Sequence, residues 1–361
     1  MKKCVLFSVA LVLMFAFIMA PVVVTPVFAA ASTQVYKLSL ATHDPATSNK
    51  TLFHQKWADR VREVSGGRID ITIYSAGSLV AGTAALDALR TNMCDIAWIY
   101  GPYFTGQLPL SDVVSMPIGI TSVPQAANVM WDLYETEEAY KNELAEFVTL
   151  MIHSNPINFI STVRGKPVSS VNDLKGLKLR AAGGAASNYL LAWGATPIQL
   201  TPGDIFQAVE RGTIDGYVFD YSGIVSFSLQ DVTANYTDMP VFLGPYYLLM
   251  NKSSFEGLPA DLRQILLDCS TRETSIEMGY VYEADELRGR EAVTAAGGNF
   301  VSVTEEALAE FKSSSASLQA DWITANTKPG FDAKAYLDKA AGLAQKYYIS
   351  PEQIKATLDA K

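Results

Sequence analysis

Val168-Ser-Ser-Val-Asn-Asp-Leu-Lys-Gly-Leu-Lys-Leu-Arg180 closes with a short apolar strand that ends on a single arginine, just ahead of a small-residue run from Ala181 to Ala186. A planar guanidinium fixed at a strand end offers a carboxylate two parallel charged hydrogen bonds, which a lysine cannot reproduce. On the residues alone, a solvated strand-end arginine is the competing reading.

Outward from this stretch the chain alternates strands and helices. Val35 to Leu40 reads as a strand leading into the loop His43-Asp44-Pro45. Leu52, Phe53, Trp57, Val61 and Val64 recur at helical spacing until Gly66-Gly67 stops them. A strand over Ile69 to Tyr74, with Ile69, Ile71 and Ile73 on one face, a helix over Ala84 to Arg90 and a strand over Ile96 to Ile99 complete βαβ units. A helical stretch around Ala126 to Leu150 precedes the second set. There, Ile157 to Val163, Leu177 to Leu179 and Ile214 to Phe219 are strands, while Ala186 to Trp193 and Asp204 to Arg211 are helices. Tyr246 to Met250 reads as a strand returning to the first unit. Pro259 to about Ala295 reads as one long, mainly helical pattern, Thr304 with Glu305 and Glu306 as a helix start, and Ala333 to Lys361 as an outer helical tail. The expected fold is α/β with two lobes and a cleft. Ligands of such sheets sit beyond the strands' carboxyl ends, here the loops after Leu40, Ile99, Leu179 and Phe219. The expected lobes are residues 32–157 with 246–285 and residues 158–245 with 286–345, followed by a helical tail over 346–361.

Met1-Lys2-Lys3, an apolar run from Val5 to Met19 and Val27-Phe28-Ala29 fit a signal peptide over residues 1–30. Because the apolar run reaches roughly 20 residues, a retained membrane anchor is the rival reading. Cys4 follows the lysines too closely to be a lipid-attachment site. Removing Lys2 and Lys3 takes the formal charge from -9 to -11. That balance argues against nucleic acid or an anionic membrane surface as partner, so any anion site needs a local cationic cluster. Cys94 and Cys269 remain after the leader; pairing in an oxidising compartment and two lone buried thiols both stay open.

Several fragments, in order, resemble the solute-binding proteins of tripartite ATP-independent periplasmic (TRAP) transporters. Trp57-Ala-Asp-Arg-Val-Arg-Glu-Val-Ser-Gly-Gly67 looks like that family's first helix and its stop. Gly77-Ser78-Leu79 and Asp95-Ile96-Ala97-Trp98 follow, and Asp173-Leu174-Lys175-Gly176-Leu177-Lys178-Leu179-Arg180 is the strongest match. Gly194-Ala195-Thr196-Pro197, Gln207 through Gly216, Asn251-Lys252 and Leu258 through Arg263 complete the series. The resemblance implies a two-lobed, type II-like periplasmic binding protein with an interdomain cleft and a long helix spanning both lobes. It also implies closure onto an organic acid gripped by Arg180, and delivery to a permease driven by an ion gradient. Some members carry a second arginine where this chain has Ile160; Arg164 and Lys166 lie on the following loop. Where sialic-acid members have an asparagine, this chain has Asp220. Both departures disfavour a dianionic ligand.

The candidate ligand-binding residues are Arg180, Asp220, Trp98, Tyr100, Phe219, Tyr221, His43 and Tyr246. Arg180 is the carboxylate clamp. Asp220 is an acceptor for a polar or cationic ligand group, or else pairs with a cation across the cleft. The aromatics, with Tyr103, Phe104 and Tyr247 extending them, either wall the ligand or belong to the cores. His43 donates to a ligand oxygen or is an ordinary loop histidine. No cofactor or metal is expected, because His43, His54 and His153 have no ligand spacing. Gly183-Gly184 lacks the dinucleotide-binding spacing; the pair lets a helix N-terminus approach the carboxylate and add backbone donors. No nucleophile elbow is present. The expectation is therefore a monomeric, non-enzymatic periplasmic receptor for a monocarboxylate with an apolar or aromatic body, an aromatic amino acid or indole-type acid included. The alternatives are a C4-dicarboxylate receptor, an enzyme acting on carboxylates, and a sensory module feeding a membrane kinase.

Overall fold

Parallel pairing at the start of the chain sets the frame of the first lobe. The computed structural model describes residues 34–360, so the expected signal peptide lies outside the described residues. The chain runs β1 (Tyr36–Ala41), α1 (Asn49–Val64), β2 (Ile69–Tyr74), α2 (Ala85–Arg90) and β3 (Ile96–Tyr100), with β1 parallel to both other strands. Ser48 caps α1 by accepting from the Thr51 amide, and Gly66 and Gly67 end it at positive φ. Of the apolar residues on α1, Trp57 and Val61 are buried, whereas Leu52 and Val64 are exposed. After α3 (Val123–Thr136) and α4 (Glu138–Glu143) comes β4 (Phe147–Ser154), whose residues 147–150 fall where the helical stretch was expected to continue. β4 is buried at all but one position, so its sequence shows no two-residue alternation, and period alone does not separate such a run from buried helix.

The second lobe begins with β5 (Phe159–Thr162), α5 (Val171–Leu174), β6 (Lys178–Ala181), α6 (Gly184–Ala192) and β7 (Thr196–Gln199). It continues with α7 (Pro202–Glu210), β8 (Gly216–Phe219), α8 (Tyr221–Ser226) and β9 (Asn235–Thr237). The chain then returns as β10 (Pro245–Asn251), antiparallel between β3 and β4. Next come α9 (Lys252–Glu256), α10 (Ala260–Asp268), α11 (Arg272–Ala295) and β11 (Asn299–Val301). The C-terminal elements are α12 (Glu305–Ser314), α13 (Ser317–Asn326), α14 (Ala333–Lys346) and α15 (Pro351–Asp359). The two sheets have the orders β2-β1-β3-β10-β4 and β11-β9-β5-β8-β6-β7.

The mainly helical pattern expected from Pro259 is divided at Cys269–Thr271 into α10 and α11, because Thr271 and Thr274 form a reciprocal cap that starts α11 afresh. α11 spans both lobes: Met278 and Tyr282 lie in the first core, Val293 in the second lobe. It passes close to a helix of each lobe through a glycine. A Cβ on Gly279 would come within 2.9 Å of the Pro124 nitrogen, and one on Gly289 within 2.2 Å of the Tyr221 carbonyl oxygen. The two strand crossings between lobes are tied to each other: the Asn155 amide donates to the Gly244 carbonyl (3.0 Å), and the Gly244 amide to Asn155 Oδ1 (2.6 Å).

Residues 286–345 do not all join the second lobe, as the sequence reading had it. Phe311 of α12 packs there, but Trp322, Tyr336, Leu337 and Ala340 are buried in the first core. Trp322 Nε1 also donates to the Pro109 carbonyl at 2.9 Å. Amphipathic helices declare an apolar face but not which lobe covers it. Cys94 and Cys269 are free, buried thiols, and burial beside the Asp95 charge pushes Cys94 up to about 11. Among the described residues, no helix is long and apolar enough to cross a membrane.

Candidate ligand-binding site

Arg180 is the third residue of β6 and is 2 % exposed. Its Nε donates to the Leu200 carbonyl at 2.9 Å and its Nη1 reaches the Val218 carbonyl at 3.5 Å, while Nη2 is buried without a partner. The guanidinium lies 5.1 Å from the ring centre of Phe219, whose π face supports the cation. No carboxylate of the described residues forms an ion pair with Arg180. A buried, uncompensated cation is costly in isolation, and an anion delivered to Nη2 removes that cost.

Facing it from the first lobe is the turn Gly101–Phe104 after β3. The Tyr103 hydroxyl is buried beside the Arg180 guanidinium, without a hydrogen bond of full geometry. Burial pushes its ionisation up to about 12, with the Arg180 charge pulling the other way. Behind Tyr103 the aromatics form a ladder. Tyr103 meets Tyr100 edge-on at 5.2 Å, Tyr100 stacks on Tyr246 at 4.5 Å, and Tyr246 stacks on Trp98 at 5.0 Å. This order follows from the pleat: Trp98 and Tyr100 share one face of β3, and Tyr246 pairs opposite Tyr100. His43 Nε2 and the Tyr246 hydroxyl are 3.1 Å apart; burial lowers the histidine's pKa, with Asp44 opposing.

Four of the expected residues thus gather with Arg180: Tyr100, Tyr246, His43 and Phe219. Three are placed differently. Trp98 is 1 % exposed and lies at the back of the ladder between His54 (4.4 Å) and His153 (4.9 Å). Tyr221 packs in the second lobe's core against Phe159, Tyr236 and Phe300, because its position at the start of α8 turns it toward β5 and β9. Asp220 is occupied within the protein. Its Oδ1 accepts from Ser222 Oγ (2.6 Å) and the Gly223 amide (2.7 Å), capping α8, and its Oδ2 accepts from Asn155 Nδ2 (2.8 Å). A carboxylate at a helix N-terminus readily takes such local donors. The Gly184 amide is likewise taken, donating to Thr105 Oγ1 of the first lobe at 3.0 Å.

Sequence reasoning missed Lys50 and Asp44. Lys50 of α1 is buried and donates to Ser226 Oγ of α8 at 2.7 Å, linking the lobes. Its place in the first turn of α1 carries no signal. Asp44 was visible only as a loop residue.

His54 and His153 are buried and neutral, desolvation holding them down to about 3 and about 4. A histidine whose folded pKa lies below its unfolded value, near 6.5, loses stability as pH falls from 6.5 toward the folded pKa, since only the unfolded state takes the proton. His54→Phe therefore flattens the acid limb by about 1.4 kcal/mol per pH unit between pH 6 and 4. Urea denaturation of both proteins across that range checks this; parallel curves would contradict it.

Residues 40–325 match the model of DctP, the bacterial extracellular solute-binding protein family 7, and the chain belongs to that family, the solute-binding receptors of TRAP transporters. It is 28 % identical to a monocarboxylate 2-oxoacid-binding periplasmic protein of Nostoc sp., over 70 % of this chain and 69 % of the relative. A TRAP solute-binding protein of an unidentified marine microbe, specific for aromatic acid ligands and solved with metahydroxyphenylacetate, superposes with a TM-score of 0.81. It has 25 % identity and covers 88 % of this chain and 100 % of its own. A TRAP solute-binding protein of Rhodoferax ferrireducens T118, solved with copurified benzoate, superposes at 0.80 with 27 % identity, covering 86 % and 98 %.

Proposed function

We propose that this receptor captures a small monocarboxylate with an aromatic or apolar body, fixes its carboxylate on Arg180, and encloses the remainder against Tyr100, Tyr103 and Tyr246. The observation that carries this reading is the buried guanidinium with an unpartnered Nη2 and, among the described residues, no acidic neighbour in ion-pair contact. The Tyr103 hydroxyl, buried on the opposite lobe without a hydrogen bond of full geometry, is the second donor to the carboxylate. A ligand held from both sides favours the shut arrangement, because only there do both lobes touch it. The aromatic-acid and benzoate complexes of the two similar structures support the choice of ligand class. Ile160, where some relatives have a second arginine, leaves a second carboxylate unmatched. In this reading the chain acts as a periplasmic monomer after loss of its leader, hands its ligand to the permease subunits, and turns nothing over.

Thermal-shift screening tests the proposal. Benzoate, phenylacetate and indole-3-acetate are expected to raise the melting temperature, succinate and malate to leave it unchanged. Stabilisation by the dicarboxylates alone would exclude the reading. In Tyr103→Phe, affinity for the best acid is expected to fall about tenfold, the loss of one hydrogen bond to a charged group; isothermal titration measures it.

A further inference from the structure

We infer that Asp44 reads a hydrogen-bond donor carried by the ligand in addition to its carboxylate, so that the receptor selects acids bearing a hydroxyl or ammonium group. The inference rests on the carboxylate reading of Arg180 and adds a second recognition point to it.

Asp44 lies on the loop that leaves the carboxyl end of β1, and it is 4 % exposed. Its backbone is held in place: the amide donates to Thr42 Oγ1 at 3.2 Å, and the carbonyl accepts from the Ala76 amide at 2.8 Å. The side chain is not matched in the same way. Its Oδ2 is buried without a hydrogen-bond partner, and no cation of the described residues forms an ion pair with it. The Tyr103 hydroxyl and His43 Nδ1, on whose rings Asp44 bears, make no hydrogen bond to it, and two other donors are directed elsewhere. Lys50 is committed to Ser226 and lies 3.9 Å from Asp285, and the Tyr246 hydroxyl is in contact with His43.

The negative charge of Asp44 bears on His43 and Tyr103, the same two rings on which Arg180 bears with the opposite sign. A buried acceptor thus stands across a small group of rings from a buried donor, and each lacks a counterpart. Buried polar atoms are almost always matched, so an orphaned acceptor and an orphaned donor that bear on the same two rings match the complement of a ligand. A carboxylate satisfies Arg180 Nη2; a hydroxyl or ammonium satisfies Asp44 Oδ2. A second carboxylate would meet Asp44 as a like charge, so the same residue also rejects diacids.

Calorimetry on the whole mature protein, freed of copurified ligand, tests this with four acids of similar size: phenylacetate, mandelate, 2-phenylglycine and 3-hydroxyphenylacetate. At least one donor-bearing acid is expected to bind about tenfold to a hundredfold more tightly than phenylacetate. Mandelate or 3-hydroxyphenylacetate leading identifies a hydroxyl; 2-phenylglycine leading identifies an ammonium. Asp44→Ala and Asp44→Asn are expected to erase the preference while phenylacetate affinity stays within about threefold. Equal binding of all four acids by the wild type overturns the inference without any variant. So does a preference that persists in a folded Asp44 variant. Failure of every acid to bind, or binding that survives Arg180→Met, would instead overturn the carboxylate reading beneath it.

Discussion

Arg180→Met is expected to lose carboxylate binding by at least a factor of about a hundred while the unliganded protein melts no lower than the wild type. The first effect follows from losing charged hydrogen bonds, each worth roughly 1.5–3 kcal/mol. The second follows from the unliganded state, where the guanidinium is 2 % exposed and no carboxylate of the described residues is paired with it. Replacing an uncompensated buried charge by an apolar side chain of similar length removes a desolvation cost, offset in part by loss of the bond to Leu200. Arg180→Lys keeps the charge but not the planar donor geometry, and is expected to bind at least about tenfold more weakly. Calorimetry with the best acid of the screen, beside thermal melts without ligand, measures both. Wild-type affinity in Arg180→Met would remove the clamp from the account.

Gly183→Ala is expected to hold the lobes apart. Gly183 has φ +111° and ψ −168°, a region nearly closed to other residues. A Cβ there would stand 2.6 Å from the Pro102 carbonyl oxygen, and Pro102 belongs to the other lobe. The clash falls on a backbone atom, so no rotamer change relieves it. Ala182, next to Gly183, is already buried in the first-lobe cluster, which places this contact where the lobes meet. Each lobe keeps its own core, so the variant is expected to fold, bind acid more than about tenfold more weakly, and stay expanded in solution scattering at saturating ligand. A compaction on ligand addition equal to that of the wild type would show that closure does not depend on this approach.

Much of the architecture was legible because its signals are local. Ile69, Ile71 and Ile73 alternate, Gly66-Gly67 punctuates α1, and Thr304 announces α12 through a cap whose Oγ1 accepts from the Ala307 amide. The misreadings share one cause. β4 is buried on both faces and so has no period; Thr271 divides what reads as one mainly helical pattern; and α14 shows a face without showing which lobe it covers.

For the site, the residues alone located Arg180 at a strand end and the clustering of aromatics near the carboxyl ends of strands, since both depend on short stretches of chain. The fold then decided which carboxylate kept an unmatched oxygen. Asp220 was drawn into the cap of α8 and onto Asn155, whereas Asp44, unremarkable in sequence, kept an unmatched oxygen. Whether a polar atom is matched depends on partners far away along the chain, and only the assembled lobes bring those partners within hydrogen-bonding distance or leave them out.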